Sequence, residues 1–227
     1  MNSMEKVRTI LLNRSAYADN DAEADALRLY LKDKAVYLVN VMSSPGAGKT
    51  TTLISLINIL KKYYRLGVME ADIDSDVDAV KVAEKTGVKS IQLHTNGMCH
   101  LDACMTKAGL DGIDMSDLDL VFLENVGNLV CPAEFDTGAT MNMTILSIPE
   151  GHDKPLKYPL VFQKSDLVLI NKIDAMNYFN FDMEQCLKWI KERNKDATII
   201  PISAKTGEGM DKVADYFIKR MKCYKEN

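Results

Sequence analysis

The sequence predicts an α/β domain: a mostly parallel sheet flanked on both faces by helices, with an N-terminal helical segment ahead of it. Two observations carry that expectation. From residue 35 onward, short apolar runs of strand length alternate with stretches of helical period. Such alternation is the mark of parallel strands joined by crossover helices that cover both faces. The length, 227 residues, gives one domain with at most a small appendage.

Residues 1–34 form the appendage, and within it 4–33 read as an acidic, alanine-rich helix or two, docked on the sheet or used by a partner. The domain proper runs over 35–227. Its buried strands are expected at Val36–Met42, Leu66–Ala71, Ser90–Leu93, Leu118–Glu124, Met141–Ile148, Asp166–Ile170 and Ala197–Ile202. After the first of these, Leu53, Ile57, Leu60 and Tyr64 share one helical stripe. The final helix is the clearest, with Met210, Val213, Ala214, Phe217, Ile218 and Met221 on one face. One connection departs from the pattern. Pro149, Pro155 and Pro159, half of the six prolines, fall in PEGHDKPLKYP. Proline removes a donor and restricts the residue before it, so a defined loop is expected where a crossover helix would otherwise stand. It is either an ordinary surface connection or a functional loop at the carboxyl edge of the sheet.

Composition excludes several classes. At 47% hydrophobic and 26% charged, the balance is that of a soluble globular chain. A net charge of −4 argues against nucleic-acid binding by counterion release. No segment approaches the ~20 apolar residues of a membrane span, and the first residues lack the apolar stretch of a leader, so no membrane contact is expected. Five cysteines, an odd number at irregular spacing, fit reduced thiols in a cytoplasm.

The chemistry sits at the strand ends. Ser43-Ser44-Pro45-Gly46-Ala47-Gly48-Lys49-Thr50-Thr51 follows the first strand and runs into a helix. This is a P-loop in its proper context: glycines let backbone N–H groups close around phosphate, and the helix N-terminus adds its dipole. Lys49 would reach the β- and γ-phosphates and Thr50 would bind Mg²⁺. Ser43 stands where the usual pattern has glycine. Asp72 closes the second strand and Glu124 the fourth, and in an open sheet the carboxyl ends face the ligand. Both are candidates for Mg²⁺ and, with Lys49, for catalysis; Asp74 and Asp76 are expected to cap the next helix.

Asn171-Lys172-Ile173-Asp174 and Ser203-Ala204-Lys205 follow the last two strands. An ionised Asp174 accepts only, so it can take both N1–H and N2–H of guanine, and adenine offers no such pair. Lys172 would cover the ring and the Ala204 N–H would meet O6. These parts together make a P-loop GTPase. The six arginines (8, 14, 28, 65, 193 and 220) all lie away from these motifs, so no arginine finger is expected within the core and turnover should be slow. Added positive charge would come from Lys154 or Lys157 in the proline segment, from a second subunit, or from a cation.

A second constellation combines Cys99 and His100 with Cys131, just beyond Glu124–Asn128. A cysteine is commonly a small buried hydrophobe. Here Met98, Leu101, Met105 and Ala108 fill one helical side and leave Cys99 and His100 opposite. Thiolate with imidazole suits Zn²⁺ or a late transition metal such as Ni²⁺. Three ligands are too few for a closed structural zinc site, and two chains would offer six. Cys186 and Cys104 are expected on or near buried stripes, Cys223 in the tail, and His94 and His152 to be incidental.

The SSPGAGKTT, CHLDA, ENVGNLVCP, PEGHDKPLKYP and NKID segments together resemble the HypB family, GTPases that assist nickel insertion into [NiFe]-hydrogenase, from about Val36 to the C-terminus. The resemblance implies a GTP-promoted homodimer with a metal site at its interface built from Cys99, His100 and Cys131. It also implies nickel as cargo with zinc as competitor, a HypA-type partner, a hydrogenase large subunit as client, and Lys157 as a cross-subunit contact. Some members carry a Cys- or His-rich arm for nickel, whereas residues 1–35 here contain neither residue, so only the labile site is expected. Two other readings are a metallocentre GTPase of the urease accessory type and a metal-binding protein whose nucleotide is structural.

Overall fold

A computed structural model of the chain describes residues 7–11, 20–72 and 76–226. In chain order the elements are β1 (Val7–Leu11), α1 (Asn20–Asp33), β2 (Tyr37–Ser43), α2 (Lys49–Leu60), β3 (Leu66–Asp72), α3 (Val77–Thr86) and β4 (Lys89–His94). There follow α4 (Ala103–Ile113), β5 (Leu120–Glu124), α5 (Cys131–Glu134), β6 (Met141–Ser147), α6 (Lys154–Lys157), α7 (Pro159–Gln163), β7 (Leu167–Asn171), α8 (Met183–Arg193), β8 (Thr198–Pro201) and α9 (Met210–Glu226). The strands form one sheet in the order β1-β4-β3-β5-β2-β6-β7-β8, and every pairing is parallel. Each of the seven apolar runs is therefore a strand, and the α/β class holds.

Parallel strands buried on both faces need apolar residues in both directions, which is why these runs do not alternate. One face packs α2 and α9 around Leu53, Phe122 and Phe217. The opposite face divides in two, with α1 and α4 around Leu31, Met69 and Leu93, and α7 and α8 around Phe162, Val168 and Ile190.

Two local expectations are corrected. Val7–Leu11, read as helix, is an edge strand paired with β4, and among the described residues of that segment the helix is Asn20–Asp33. The rest of the segment before residue 20, and Asp74, lie outside the described residues. The proline segment is not an open loop but three single turns, Ile148–Glu150, α6 and α7, each carrying its proline in the first two positions. There the missing N–H costs no intrahelical bond and the fixed φ favours the turn, so proline starts these helices instead of breaking them. Ser147 and Glu150 close the first with a capping box.

Candidate functional site

The P-loop joins β2, at the middle of the sheet, to α2. Gly46 and Gly48 hold φ of 74° and 100°, the left-handed region in which side chains are strained. Space excludes a side chain at Gly48 as well, because a Cβ there would lie 2.6 Å from Asn171 Nδ2. The first turn of α2 carries no acid, leaving its N–H groups and dipole open to an anion. Ser43 is the last, fully buried residue of β2. Its hydroxyl donates to the Ser44 carbonyl at 2.7 Å and accepts from Lys49 Nζ at 3.1 Å. The residue that departs from the glycine pattern thus steadies the lysine.

Beside the loop lies a cleft of 310 Å³ whose walls include Gly46, Lys49, Glu70, Asp72, Asp78 and Glu124. Thr50 donates to Glu124 Oε1 at 3.1 Å. Parallel pairing of β3 and β5 sets Glu70 directly beside Glu124, both buried. Burial first, then the charge of Glu124 and a hydrogen bond with it, raise the Glu70 carboxyl well above the usual range. Glu70 Oε1 and Glu124 Oε2 are buried without a hydrogen-bond partner among the described residues. Asp72 is exposed at the mouth. Asp76 occupies the N-cap of α3 but its side chain makes no cap hydrogen bond.

The ends of β7 and β8 meet the other side of the P-loop. Asn171 is buried, with Nδ2 donating to the Ala47 carbonyl at 3.0 Å and Oδ1 accepting from Ala204 N–H at 3.1 Å. It ties the two loops together, and the Ala204 N–H expected at guanine O6 is used here by Asn171. Lys172 takes φ 63° and its Nζ reaches the Gly46 carbonyl at 2.7 Å, laying the stem across the opening. Asp174 is exposed and oriented by Ser203 Oγ, which donates at 2.6 Å. Thr51, in the first turn of α2, and Lys205 are exposed.

Cys99, His100 and Cys131 converge within a single chain, their ligand atoms all within 4.8 Å of one another. Cys99 Sγ lies 3.8 Å from His100 Nδ1. A tetrahedral ion with bonds of about 2.0–2.3 Å sets its ligand atoms about 3.3–3.8 Å apart, so the Cys99–His100 spacing fits one shared ion. A hydrogen bond with Cys131, and then burial, raise the Cys99 thiol, so an incoming ion would displace a proton. The helical phase assigned to Cys99 and His100 is corrected. Asp102 is the N-cap of α4, accepting from Met105 N–H at 2.8 Å, so both ligands precede the helix in a bend. Cys131 opens the one-turn α5.

The family model for the CobW/HypB/UreG nucleotide-binding domain matches residues 37–201. The hydrogenase maturation factor HypB of Azotobacter chroococcum is 40% identical over 207 residues, 91% of this chain and 68% of that protein. The chain belongs to the HypB family. HypB from Helicobacter pylori, solved in complex with nickel, superposes with a TM-score of 0.85 at 34% identity, over 90% of this chain and 96% of that one. HypB from Archaeoglobus fulgidus gives 0.83 at 33% identity, over 90% and 99%.

Outside these two groups of residues, other expected residues have local work. Lys157 pairs with Asp153 at 2.6 Å, and Lys154 lies over the Tyr158 ring. Arg28, Arg65, Arg193 and Arg220 are engaged with Asp136, Asp119, the Pro155 carbonyl and Tyr216, so none of these four serves the cleft. Cys186 is buried, its thiol pushed up to about 12 by burial. Cys104 is exposed, against the expectation of a near-core position. His152 stacks on Trp189 and accepts from Asp182 N–H, pinning the proline segment to α8. Nothing local in the sequence marks Glu70 as a partner of Glu124. Equal positions at the ends of two adjacent strands were the available signal, but strand order was needed to use it. No helix among the described residues is long and apolar enough to cross a membrane.

Proposed function

We propose that the chain is a GTP-hydrolysing metallochaperone that assists nickel insertion into [NiFe]-hydrogenase. The observation that carries this reading is the course of one segment. It leaves the cleft at Glu124, lines it with Asn125, Val126 and Gly127, and reaches Cys131 four residues later. A Cβ on Gly127 would lie 3.1 Å from Pro45, so this segment is packed on the P-loop. A change at the γ-phosphate therefore has a short covalent route to one of three metal ligands.

Within that reading, Gly46, Ala47, Gly48, Thr50 and Thr51 hold the phosphates, and Lys49 offsets their growing charge during transfer. Asn171, Lys172, Asp174, Ser203, Ala204 and Lys205 select guanine. Thr50, Asp72 and Glu124 would hold Mg²⁺, which supplies charge stabilisation at the phosphates; the buried Glu124 carboxylate beside the Thr50 hydroxyl is the oxygen-rich donor set this ion takes. With no arginine among the described residues that line the cleft, turnover by the isolated chain is slow. GTP promotes a homodimer in which Lys154 and Lys157 reach across the interface and Cys99, His100 and Cys131 hold nickel, with zinc as competitor. A HypA-type partner supplies or receives the ion, the hydrogenase large subunit is the client, and the work takes place in the cytoplasm.

The test measures nickel affinity, stoichiometry and molecular mass in GDP and in a non-hydrolysable GTP analogue. Affinity and mass both shifting with the nucleotide is the expected result. If neither shifts, the nucleotide is structural and the metallochaperone reading fails.

A further inference from the structure

One-turn α5 brings more than a thiolate to the metal site. Phe135, its C-cap residue, lies four positions after Cys131. The Phe135 ring stacks on the His100 imidazole, centroids 3.7 Å apart and planes within 14°. The stack is held from outside by Asn20, a buried residue at the start of α1. Its Oδ1 accepts from Ala103 N–H at 3.0 Å, three residues past His100, and its Nδ2 donates to the Asp136 carbonyl at 3.0 Å, one residue past Phe135. One side chain thus fixes the spacing between the two segments that carry the ligands.

An imidazole binds a metal through a lone pair lying in its ring plane. A second ring held parallel to it fixes that plane, and with it the locus the ion can occupy. Zn²⁺ has no directional preference of its own and can follow mobile ligands. Ni²⁺ favours square-planar or tetragonal arrangements and gains more from a ligand whose plane is set in advance. We propose that Phe135 is a positioning residue of the metal site, whose ring fixes the plane of His100 and favours nickel over zinc. This rests on the reading of Cys99, His100 and Cys131 as the ligand set.

The experiment titrates the full chain with Ni²⁺ and Zn²⁺ in competition with a chromophoric chelator and records the thiolate-to-nickel charge-transfer absorption. The proteins are the parent, Phe135→Leu, Phe135→Tyr and Cys99→Ala. Stacked aromatic pairs are worth enough to predict that Phe135→Leu weakens nickel about three- to tenfold and shifts the absorption band. Zinc should change by less than about twofold, and Phe135→Tyr, which keeps the ring face, should restore both readouts. Phe135 is only partly buried, and Phe135→Met keeps the apolar volume without the ring if the leucine variant fails to fold. Equal losses for both metals, or an unchanged nickel affinity and band in Phe135→Leu while Cys99→Ala loses nickel, would overturn the positioning role alone. Nickel bound normally by Cys99→Ala would overturn the ligand set and the positioning role together.

Discussion

Asp174 owes its orientation to a single hydroxyl. Ser203 Oγ donates to Oδ1 at 2.6 Å, and the same Ser203 oxygen accepts from Thr206 N–H at 3.2 Å, so the carboxylate is aimed by a loop that is itself closed. A carboxylate aimed in this way accepts two donors from guanine, and an amide presents a donor to donors. Asp174→Asn should weaken GTP by about 100-fold or more, since two charge-assisted hydrogen bonds of about 1.5–3 kcal/mol each are lost. It should tolerate xanthosine triphosphate instead, whose C2 oxygen accepts from the new amide. Fluorescence competition with the two nucleotides reads the switch, and an undiminished GTP preference would place the base elsewhere. Residue types and spacing made Asp174 and Lys172 legible in the sequence. The internal use of Asn171 was not, because its partners at Ala47 and Ala204 are far away along the chain and only strand order brings them together.

Elements are held to the sheet by contacts of unequal legibility. The stripe of α9 announced itself through Met210, Val213, Phe217 and Met221, all buried against β-strand residues as its period implied. Its last turn is fixed by charge, which no period reveals: Lys225 meets Asp119 at 2.9 Å, and Arg65 meets the same carboxylate at 3.1 Å. Burial alone would raise Asp119, but the hydrogen bonds from Arg65 and Lys225 outweigh it and hold the carboxyl well below its usual range. A depressed folded value makes this a stabilising contribution that is present above the unfolded pKa near 3.9 and lost as pH falls through the folded one. Asp119→Asn should therefore cost about 1 kcal/mol at neutral pH, modest because Arg65 and Lys225 remain largely exposed. In urea titrations the gap from the parent should close as pH drops below about 4. A gap that stayed constant would assign the loss to packing. β1 escaped the sequence reading for a related reason. Five residues at a sheet edge have too little pattern to stand out beside the acidic, alanine-rich stretch that becomes α1. At α4 the apolar phase ran on past the true start because Met98 and Leu101 pack on the same core as Met105, and the Asp102 cap was the overlooked stop signal.

At the scale of the whole molecule, both sites hang from the carboxyl ends of strands. The phosphate loop leaves β2, the acids close β3 and β5, and the base clamp closes β7 and β8, all on one rim. Cys99, His100 and Cys131 sit on the two connections that follow β4 and β5, and α1 fastens these connections through Asn20 and through Arg28, which pairs with Asp136. Because these contacts lie within one chain, convergence of Cys99, His100 and Cys131 does not wait for a second copy. One nickel per chain should therefore bind at dilutions where the GDP form is monomeric. Dimerisation would then change affinity and exchange without creating the site. Linkage makes the consequence quantitative: if a GTP analogue tightens nickel by some factor, nickel must tighten the analogue by the same factor, typically about 5–150-fold for coupled sites. Calorimetry of each ligand with and without the other, over a range of protein concentrations, measures both factors. Equal factors that persist on dilution would locate the coupling in the Glu124–Cys131 segment of the single chain, whereas factors that vanish on dilution would locate it in the contact between copies.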